Sequence, residues 1–209
     1  EPKFVPNEAV EIVIKEGLKM NVRVVDCVGY TVEGAQGYDT EDGPRMVRTP
    51  WFEEDIPFQD AAEFGTKKVV DDHSTLGIVV FTDGSITDIA RENYLDAEER
   101  VVWELRSLNK PFIIILNSRN PYSEKTTILA NSLEEQYNVP VLPMDVANLK
   151  EEDLLNVLEE VLYEFPVVEV SINLPTWINE LEASHWLKRS YEENINKAIE
   201  SIKKIRDID

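Results

Sequence analysis

The chain contains the stretch Asn21-Val22-Arg23-Val24-Val25-Asp26-Cys27-Val28-Gly29, a β-branched run with an aspartate near its end and a glycine three residues later. In open α/β sheets, ligands bind outside the carboxyl ends of the strands. An aspartate at that position can hold a metal-bound water, and the glycine N–H can approach a phosphate. This D-x-x-G arrangement is typical of the switch region of a nucleoside triphosphatase. The alternative is an ordinary strand that ends in a turn.

Composition restricts the class of protein. The 209 residues suit one domain, or one domain with a small appendage. The net charge of −20 argues against nucleic acid and anionic lipid as direct partners. The start at Glu1 has no Met and no signal-peptide pattern, so we expect the chain to be part of a longer protein. The single cysteine, Cys27, excludes an internal disulfide framework, and we expect it to be buried.

The first quarter of the chain predicts a hairpin followed by a long loop. Residues 8–15 alternate between apolar and polar side chains, and residues 20–26 form the second predicted strand after the turn at Gly17. Residues 27–57 have no sustained period, and a loop of that length in a compact domain is usually functional or mobile.

The remainder alternates between strands and helices. Short apolar runs at residues 76–81, 112–116 and 139–142 predict strands separated by helical patterns, and the almost uninterrupted run at 76–81 predicts burial on both faces. Such alternation is typical of parallel βαβ units, so the predicted fold class is α/β. Residues 1–165 are the predicted nucleotide-hydrolase domain. Residues 166–209 carry a predicted strand at 167–172 and a long helix, and we interpret them as a strand–helix extension or the start of a following domain.

The nucleotide hypothesis assigns roles to six residues. Asp26 and Gly29 are the catalytic candidates, with Asp26 holding Mg²⁺ through water. Candidate cofactor-binding residues follow the later strands, namely Asn117, Ser118, Asp145 and Val146.

The loop Asn117-Ser118-Arg119-Asn120 departs from a guanine-reading pattern. A guanine reader has N-K-x-D, in which the aspartate pairs with the base edge, whereas this chain has Ser118 and Asn120. Guanine selectivity is therefore not indicated, and adenine becomes credible. The 209 residues also contain no G-x-x-x-x-G-K-[ST] motif to wrap the β- and γ-phosphates.

Several unusual strings resemble the stage IV sporulation protein A family, over essentially the whole chain. The strings that carry this resemblance are Glu1-Pro2-Lys3-Phe4-Val5-Pro6-Asn7, Val25-Asp26-Cys27-Val28-Gly29-Tyr30-Thr31-Val32, Gly43-Pro44-Arg45-Met46, Thr49-Pro50-Trp51, Thr82-Asp83-Gly84-Ser85-Ile86 and Tyr163-Glu164-Phe165-Pro166-Val167.

The resemblance implies a P-loop NTPase fold, related to translation-factor GTPases, that hydrolyses ATP with Mg²⁺ to drive self-assembly of the basement layer of the spore coat. It implies that Asp26 is the Walker B aspartate, and that the phosphate-binding lysine and two sensing threonines lie upstream of Glu1. The implied partners are further copies of the protein, other spore-coat proteins and a small amphipathic membrane peptide bound by a region C-terminal to this chain. The implied location is the mother-cell cytoplasm, at the outer surface of the forespore.

The same resemblance predicts a gap in the sheet. In this fold the first strand lies between the strands predicted at residues 20–26 and 76–81, and it carries the phosphate loop. Without it, two apolar strand edges face an empty slot. We expect either that the two strands close together or that another segment or copy fills the slot. We also expect this chain alone to have no ATPase activity.

Two other function classes remain open. One is a GTPase-like domain that has lost hydrolysis and acts as an interaction module. The other is a metal-dependent phosphoesterase that uses acidic clusters at residues 39–42, 53–55 and 71–73. Solvated acidic loops are the simpler explanation of those clusters.

Overall fold

The computed structural model describes residues 6–41 and 43–208. Contacts divide the chain into two units, one that ends at Val161 and one that begins at Leu162. The first unit is α/β, as predicted. The strands are β1 (Val10–Lys15), β2 (Leu18–Val22), β3 (Asp39–Thr40), β4 (Gly43–Pro44), β5 (Met46–Val47), β6 (Ile56–Pro57), β7 (Gly77–Thr82), β8 (Phe112–Asn117) and β9 (Val141–Met144). The helices are α1 (Phe58–Lys68), α2 (Leu95–Ser107), α3 (Glu124–Tyr137), α4 (Glu151–Tyr163), α5 (Thr176–Asn179) and α6 (Trp186–Ser201).

A parallel sheet of order β7-β8-β9 is the centre of the first unit. Ile114 of β8 lies opposite Val79 of β7 and Val141 of β9. Parallel neighbours need helical crossovers, and α2 and α3 provide them. The carboxyl ends of the three strands therefore lie at one edge of the sheet.

The predicted strand at residues 112–116 is present as β8, which is buried on both faces. On one face, Phe112, Ile114 and Leu116 share a core with residues of α2 and α3. On the other face, Ile113 and Ile115 pack with residues of α4. The sheet is thus a middle layer with helices on both sides.

Strand β7 differs from this prediction. Its Ile78 and Val80 are 41% and 56% exposed. Strand β8 is its neighbour on one side, and no strand among the described residues pairs with its other edge. The prediction that β7 is buried on both faces is therefore wrong, because the face that carries Ile78 and Val80 is open.

The hairpin is confirmed, but its second strand is shorter than expected. β1 and β2 pair antiparallel with each other as a separate sheet, and β2 ends at Val22 rather than at Asp26. Strand β2 does not pair with β7, so closure of the two flanking strands, one of the two expected rearrangements, does not occur, and no strand among the described residues fills the slot. Cys27, expected to be buried, is exposed.

The predicted loop at residues 27–57 contains two short antiparallel ladders, β3 with β4 and β5 with β6. Helix α1 follows it directly and continues as a π-helical turn over Val69–His73. The loop therefore carries some regular structure and ends against a helix.

The second unit contains α5 and α6 and ends in a 3₁₀ turn at Ile205–Ile208. The predicted strand at residues 167–172 is not formed, and one bridge pairs Pro166 with Lys204. An apolar alternation such as this one forms a strand only where a partner strand is available. The long helix is present as α6, although a bend separates it from α5. In the part of the chain that the structure describes, no helix has both the length and the apolar character needed to span a bilayer.

Candidate nucleotide site

Three loops meet at the carboxyl edge of the parallel sheet, because β7, β8 and β9 end there together. Asn117 closes β8, and its Oδ1 accepts a hydrogen bond of 3.1 Å from the backbone N–H of Val146. Asp145 accepts bonds from the N–H of Ala147 at 3.1 Å and from Asn148 Nδ2 at 2.7 Å. The loops after β8 and β9 are therefore tied to each other, and Asn117, Asp145 and Val146 lie together.

Ser118 has a different environment from the one expected of a ligand-binding residue. It is fully buried, and its Oγ donates to Asp83 Oδ2 at 2.6 Å. The same oxygen accepts the backbone N–H of Asn120 at 3.0 Å. Ser118 thus connects the loop after β8 to the loop after β7, and its hydroxyl is engaged within the protein.

Asp83 is the residue at this edge that sequence reasoning missed. Its carboxylate accepts hydrogen bonds from Ser118, from the N–H and hydroxyl of Ser85, and from Thr126. Burial alone would raise the pKa of Asp83, but these hydrogen bonds outweigh it and lower the pKa. The signal in the sequence was its place directly after the apolar strand β7.

A cavity of about 660 Å³ opens beside this carboxylate. Ser123 caps the N-terminus of α3 there by accepting the N–H of Thr126. The cavity also contains a cationic Arg119, a cationic Lys125 and Tyr122, whose side chain is almost fully exposed. An aromatic ring, two cations and the amide of Asn120 give this cavity the chemistry to contact a base and an anion.

Asp26 and Gly29 line a different cavity, and the two cavities share no lining residue. This second cavity, of about 480 Å³, lies between residues 25–30 and the open edge of β7. Asp26 is exposed and lies four residues beyond β2, so its predicted position at a strand end is wrong. The physical reason is that residues 23–26 have no strand to pair with.

Gly29 adopts a left-handed backbone, with φ +86°. Its N–H donates to Thr66 Oγ1 at 3.0 Å, and the Thr66 hydroxyl donates to the Gly29 carbonyl at 3.1 Å. The N–H that was predicted to meet a phosphate is therefore engaged with α1 in this structure.

The residues after Gly29 are fixed on α1 and α2. The Tyr30 hydroxyl bonds to the carboxylate of Glu104, and the Arg100 guanidinium lies 4.3 Å from the centre of the Tyr30 ring. Burial and the hydrogen bond to Glu104 raise the pKa of Tyr30 well above its usual range. Arg100 also pairs with Glu63 of α1 at 2.9 Å. This segment is therefore ordered by specific contacts.

The second cavity also carries an orphaned polar atom. Glu98 of α2 lines it, and Glu98 Oε1 is buried without a hydrogen-bond partner. Most of the other lining side chains are apolar, so a segment that fills this groove would be largely apolar with a donor at one end.

The oxygen ligands in this part of the structure suit a hydrated Mg²⁺ only in part. The exposed carboxylate of Asp26 suits a cation that keeps its waters. Within residues 6–41 and 43–208, no group of three or more His, Cys, Asp or Glu side chains is arranged to hold a metal ion. Asp42, in one of the acidic clusters, lies outside the described residues.

Comparison with known proteins identifies the family. The profile described as "Stage IV sporulation protein A, ATPase domain" matches residues 1–166, and the profile described as its middle domain matches residues 167–209. The chain belongs to the stage IV sporulation protein A family. This confirms the resemblance found in the sequence.

Three stage IV sporulation protein A relatives match along all 209 residues. The proteins of Bacillus subtilis (strain 168), Bacillus anthracis and Clostridioides difficile (strain 630) are 54%, 55% and 54% identical to this chain. The match covers all of this chain and 42%, 42% and 43% of those proteins, so the chain spans about two fifths of their length. No solved structure matches.

Proposed function

We propose that residues 1–165 are part of the ATPase domain of a spore-coat scaffold, and that residues 166–209 begin its following domain. The match of the ATPase-domain profile to residues 1–166 supports the first assignment. The second is supported by the middle-domain profile, which begins at residue 167. In this proposal the full-length protein hydrolyses ATP, and hydrolysis drives self-assembly into the coat basement layer.

The open groove beside β7 is the observation that carries this proposal. Its walls include the free edge of β7 and residues 25–30, and its volume is about 480 Å³. Interiors of proteins are close-packed, so an apolar groove of this size favours an occupant. A strand followed by a phosphate loop, supplied by a segment outside the 209 residues, has the shape and apolar character that the groove requires.

The chain's own residues then have distinct roles. Asp26 would hold Mg²⁺ through water, and this ion would supply charge neutralisation at the phosphates. Gly29 offers its backbone N–H to the terminal phosphate. Asn117 and Val146, joined by their hydrogen bond, hold the base-side loops in register, with Asp145 ordering the second loop. Ser118 holds the Asp83 carboxylate by a hydrogen bond and does not contact the nucleotide.

The partners and location follow from the family resemblance and are part of the proposal. The scaffold polymerises with further copies of itself and binds other spore-coat proteins, while a region beyond this chain binds a small amphipathic membrane peptide. The site of assembly is the outer surface of the forespore, in the mother-cell cytoplasm. A strongly acidic chain of net charge −20 is consistent with the absence of nucleic acid from this set.

ATP hydrolysis by the full-length protein tests the proposal. We expect phosphate release from ATP to fall to background in Asp26→Ala, because the Mg²⁺ waters lose their acceptor. Asp88→Ala, at another exposed acidic residue, is the matched control and should keep wild-type activity. The 209-residue chain alone should release no phosphate. Turnover by this chain, or full activity of Asp26→Ala, would contradict the proposal.

A GTPase-like module without hydrolysis is the second candidate. It is favoured by the engagement of Gly29 with Thr66 and of Ser118 with Asp83, since both groups are then unavailable to a ligand. Polymerisation of the full-length protein without nucleotide turnover would support this candidate instead.

A further inference from the structure

A single side chain satisfies both backbone groups of Gly29. The Thr66 hydroxyl accepts the Gly29 N–H at 3.0 Å and donates to the Gly29 carbonyl at 3.1 Å. Thr66 is 2% exposed, one turn beyond the buried Ala62 on the inner face of α1. The helix therefore holds this hydroxyl in place, and the hydroxyl in turn holds the glycine.

The glycine itself is sterically free. Its φ of +86° is a conformation that other residues adopt at a cost, and no atom lies within 4 Å of the position that a Cβ would occupy. The space beside Gly29 is therefore open, and two hydrogen bonds to Thr66 hold its backbone N–H and carbonyl.

The contact also joins two groups of residues with different surroundings. On one side, Asp26 and Cys27 are exposed at the mouth of the groove. On the other side, Tyr30 and Thr31 are tied to α1 and α2 through Glu104 and Glu63. Gly29 is the link between these groups, so a change in its hydrogen bonding reaches both.

We propose that Thr66 is a positioning residue that competes with the terminal phosphate of ATP for the Gly29 N–H. This inference rests on the proposed function. Without nucleotide, Thr66 Oγ1 accepts the hydrogen bond from the Gly29 N–H. When ATP binds, its terminal phosphate accepts that hydrogen bond instead, and the bond to Thr66 breaks. ADP lacks that phosphate and leaves the contact intact, so Thr66 lowers the affinity for ATP relative to ADP.

Isosteric substitution in the full-length protein tests this competition. Thr66→Val removes the hydroxyl and keeps the shape, whereas Thr66→Ser keeps the hydroxyl. Dissociation constants are measured with fluorescent ATP and ADP analogues. We expect Thr66→Val to tighten ATP binding about fivefold, the size of one hydrogen bond, with ADP binding unchanged. Thr66→Ser should match the wild type.

Two further measurements keep the test decisive. Thr66→Ala also lacks the hydroxyl and should shift the ATP-to-ADP ratio in the same direction if the valine variant does not fold. In the 209-residue chain without nucleotide, amide hydrogen exchange at Gly29 should be faster in Thr66→Val than in the wild type or Thr66→Ser.

The outcomes separate the two proposals. If the wild type binds ATP and the hydroxyl-free variants keep its ATP-to-ADP ratio, or bind ATP more weakly, the inference about Thr66 is wrong while the proposed function stands. If the wild-type protein binds no ATP, the proposed function fails and the inference fails with it.

Discussion

The guanidinium of Arg91 lies 2.6 Å from the carboxylate of Glu98, and the two side chains are 16% and 6% exposed. Arg91 lies in the turn before α2 and Glu98 lies in the first turn of α2, so this buried pair ties that turn to the helix. Burial raises the pKa of Glu98 to about 7, against the opposing effect of Arg91.

Glu98 should make stability depend on pH. Its folded pKa of about 7 lies above the reference value of 4.5, so the folded chain binds more protons between these values. The stabilisation that this raised pKa gives is complete below pH 4.5 and is lost as the pH rises through 7. The free energy of unfolding should fall by at most about 3 kcal/mol over that range. Urea unfolding at pH 5 and pH 8 should show this loss in the wild type and a smaller one in Glu98→Gln. The exposed Glu99→Gln is the control, and an unchanged profile in Glu98→Gln would contradict the prediction.

Ser118→Ala should destabilise the first unit by about 2 kcal/mol at pH 7, the cost of removing a hydrogen bond to a charged group. The pKa of Asp83 is lowered in the fold, so its stabilisation is present above the reference value of 3.8 and is lost as the pH falls through the folded pKa. The difference between Ser118→Ala and the wild type should therefore shrink at pH 3. Unfolding of Ser132→Ala, an exposed serine of α3, gives the baseline. Equal losses at both pH values would show that the charge of Asp83 is not involved.

The free edge of β7 should make the 209-residue chain self-associate. Val80→Lys places a charge on the exposed side of this strand, and charges on edge strands oppose pairing with another chain. Analytical ultracentrifugation should show a lower average mass for Val80→Lys than for the wild type. Ile128→Lys, at a residue of α3 with similar exposure, should have no such effect. If both variants behave alike, general charge and not the strand edge sets association.

Glu164 is the buried anion of the second unit. Its carboxylate pairs with Lys204 at 2.6 Å and with Arg206, while its side chain is almost fully buried. Glu164→Gln removes the buried counter-charge of both cations and should cost about 3 kcal/mol.

Hydrogen exchange locates that loss. The amides of Val167 and Ile205 bond to the carbonyls of Lys203 and Phe165 at 2.9 and 3.0 Å, and both should exchange faster in Glu164→Gln. The exposed Glu193→Gln on α6 should leave their exchange unchanged. Protection that survives in Glu164→Gln would mean that these backbone bonds alone hold the turn.

Local patterns predicted the parts of the fold that depend on local sequence. The apolar run of β8, the hairpin and the helical alternation follow from side-chain periodicity within a short window. Local patterns did not predict where β2 ends, because residues 23–26 have strand-forming side chains but no partner strand. The segment 167–172 failed for the same reason. Strand formation depends on a neighbour that a short window does not contain.

The candidate site was predicted in part. Asn117 ends β8, while Asp145 and Val146 follow β9, and the structure brings the three together; their role in binding nucleotide stays a prediction. Asp83 was not found, since its partners Ser118 and Thr126 lie 35 and 43 residues away in the sequence. Thr66 was missed similarly, 37 residues from Gly29 on an otherwise ordinary helix.

The groove beside β7 has one more consequence. Both of its walls belong to this chain, so a separate peptide of matching strand sequence has a ready-made place to dock. Adding such a peptide to the 209-residue chain would raise its melting temperature, and the size of that rise would report which peptide sequences complete the sheet.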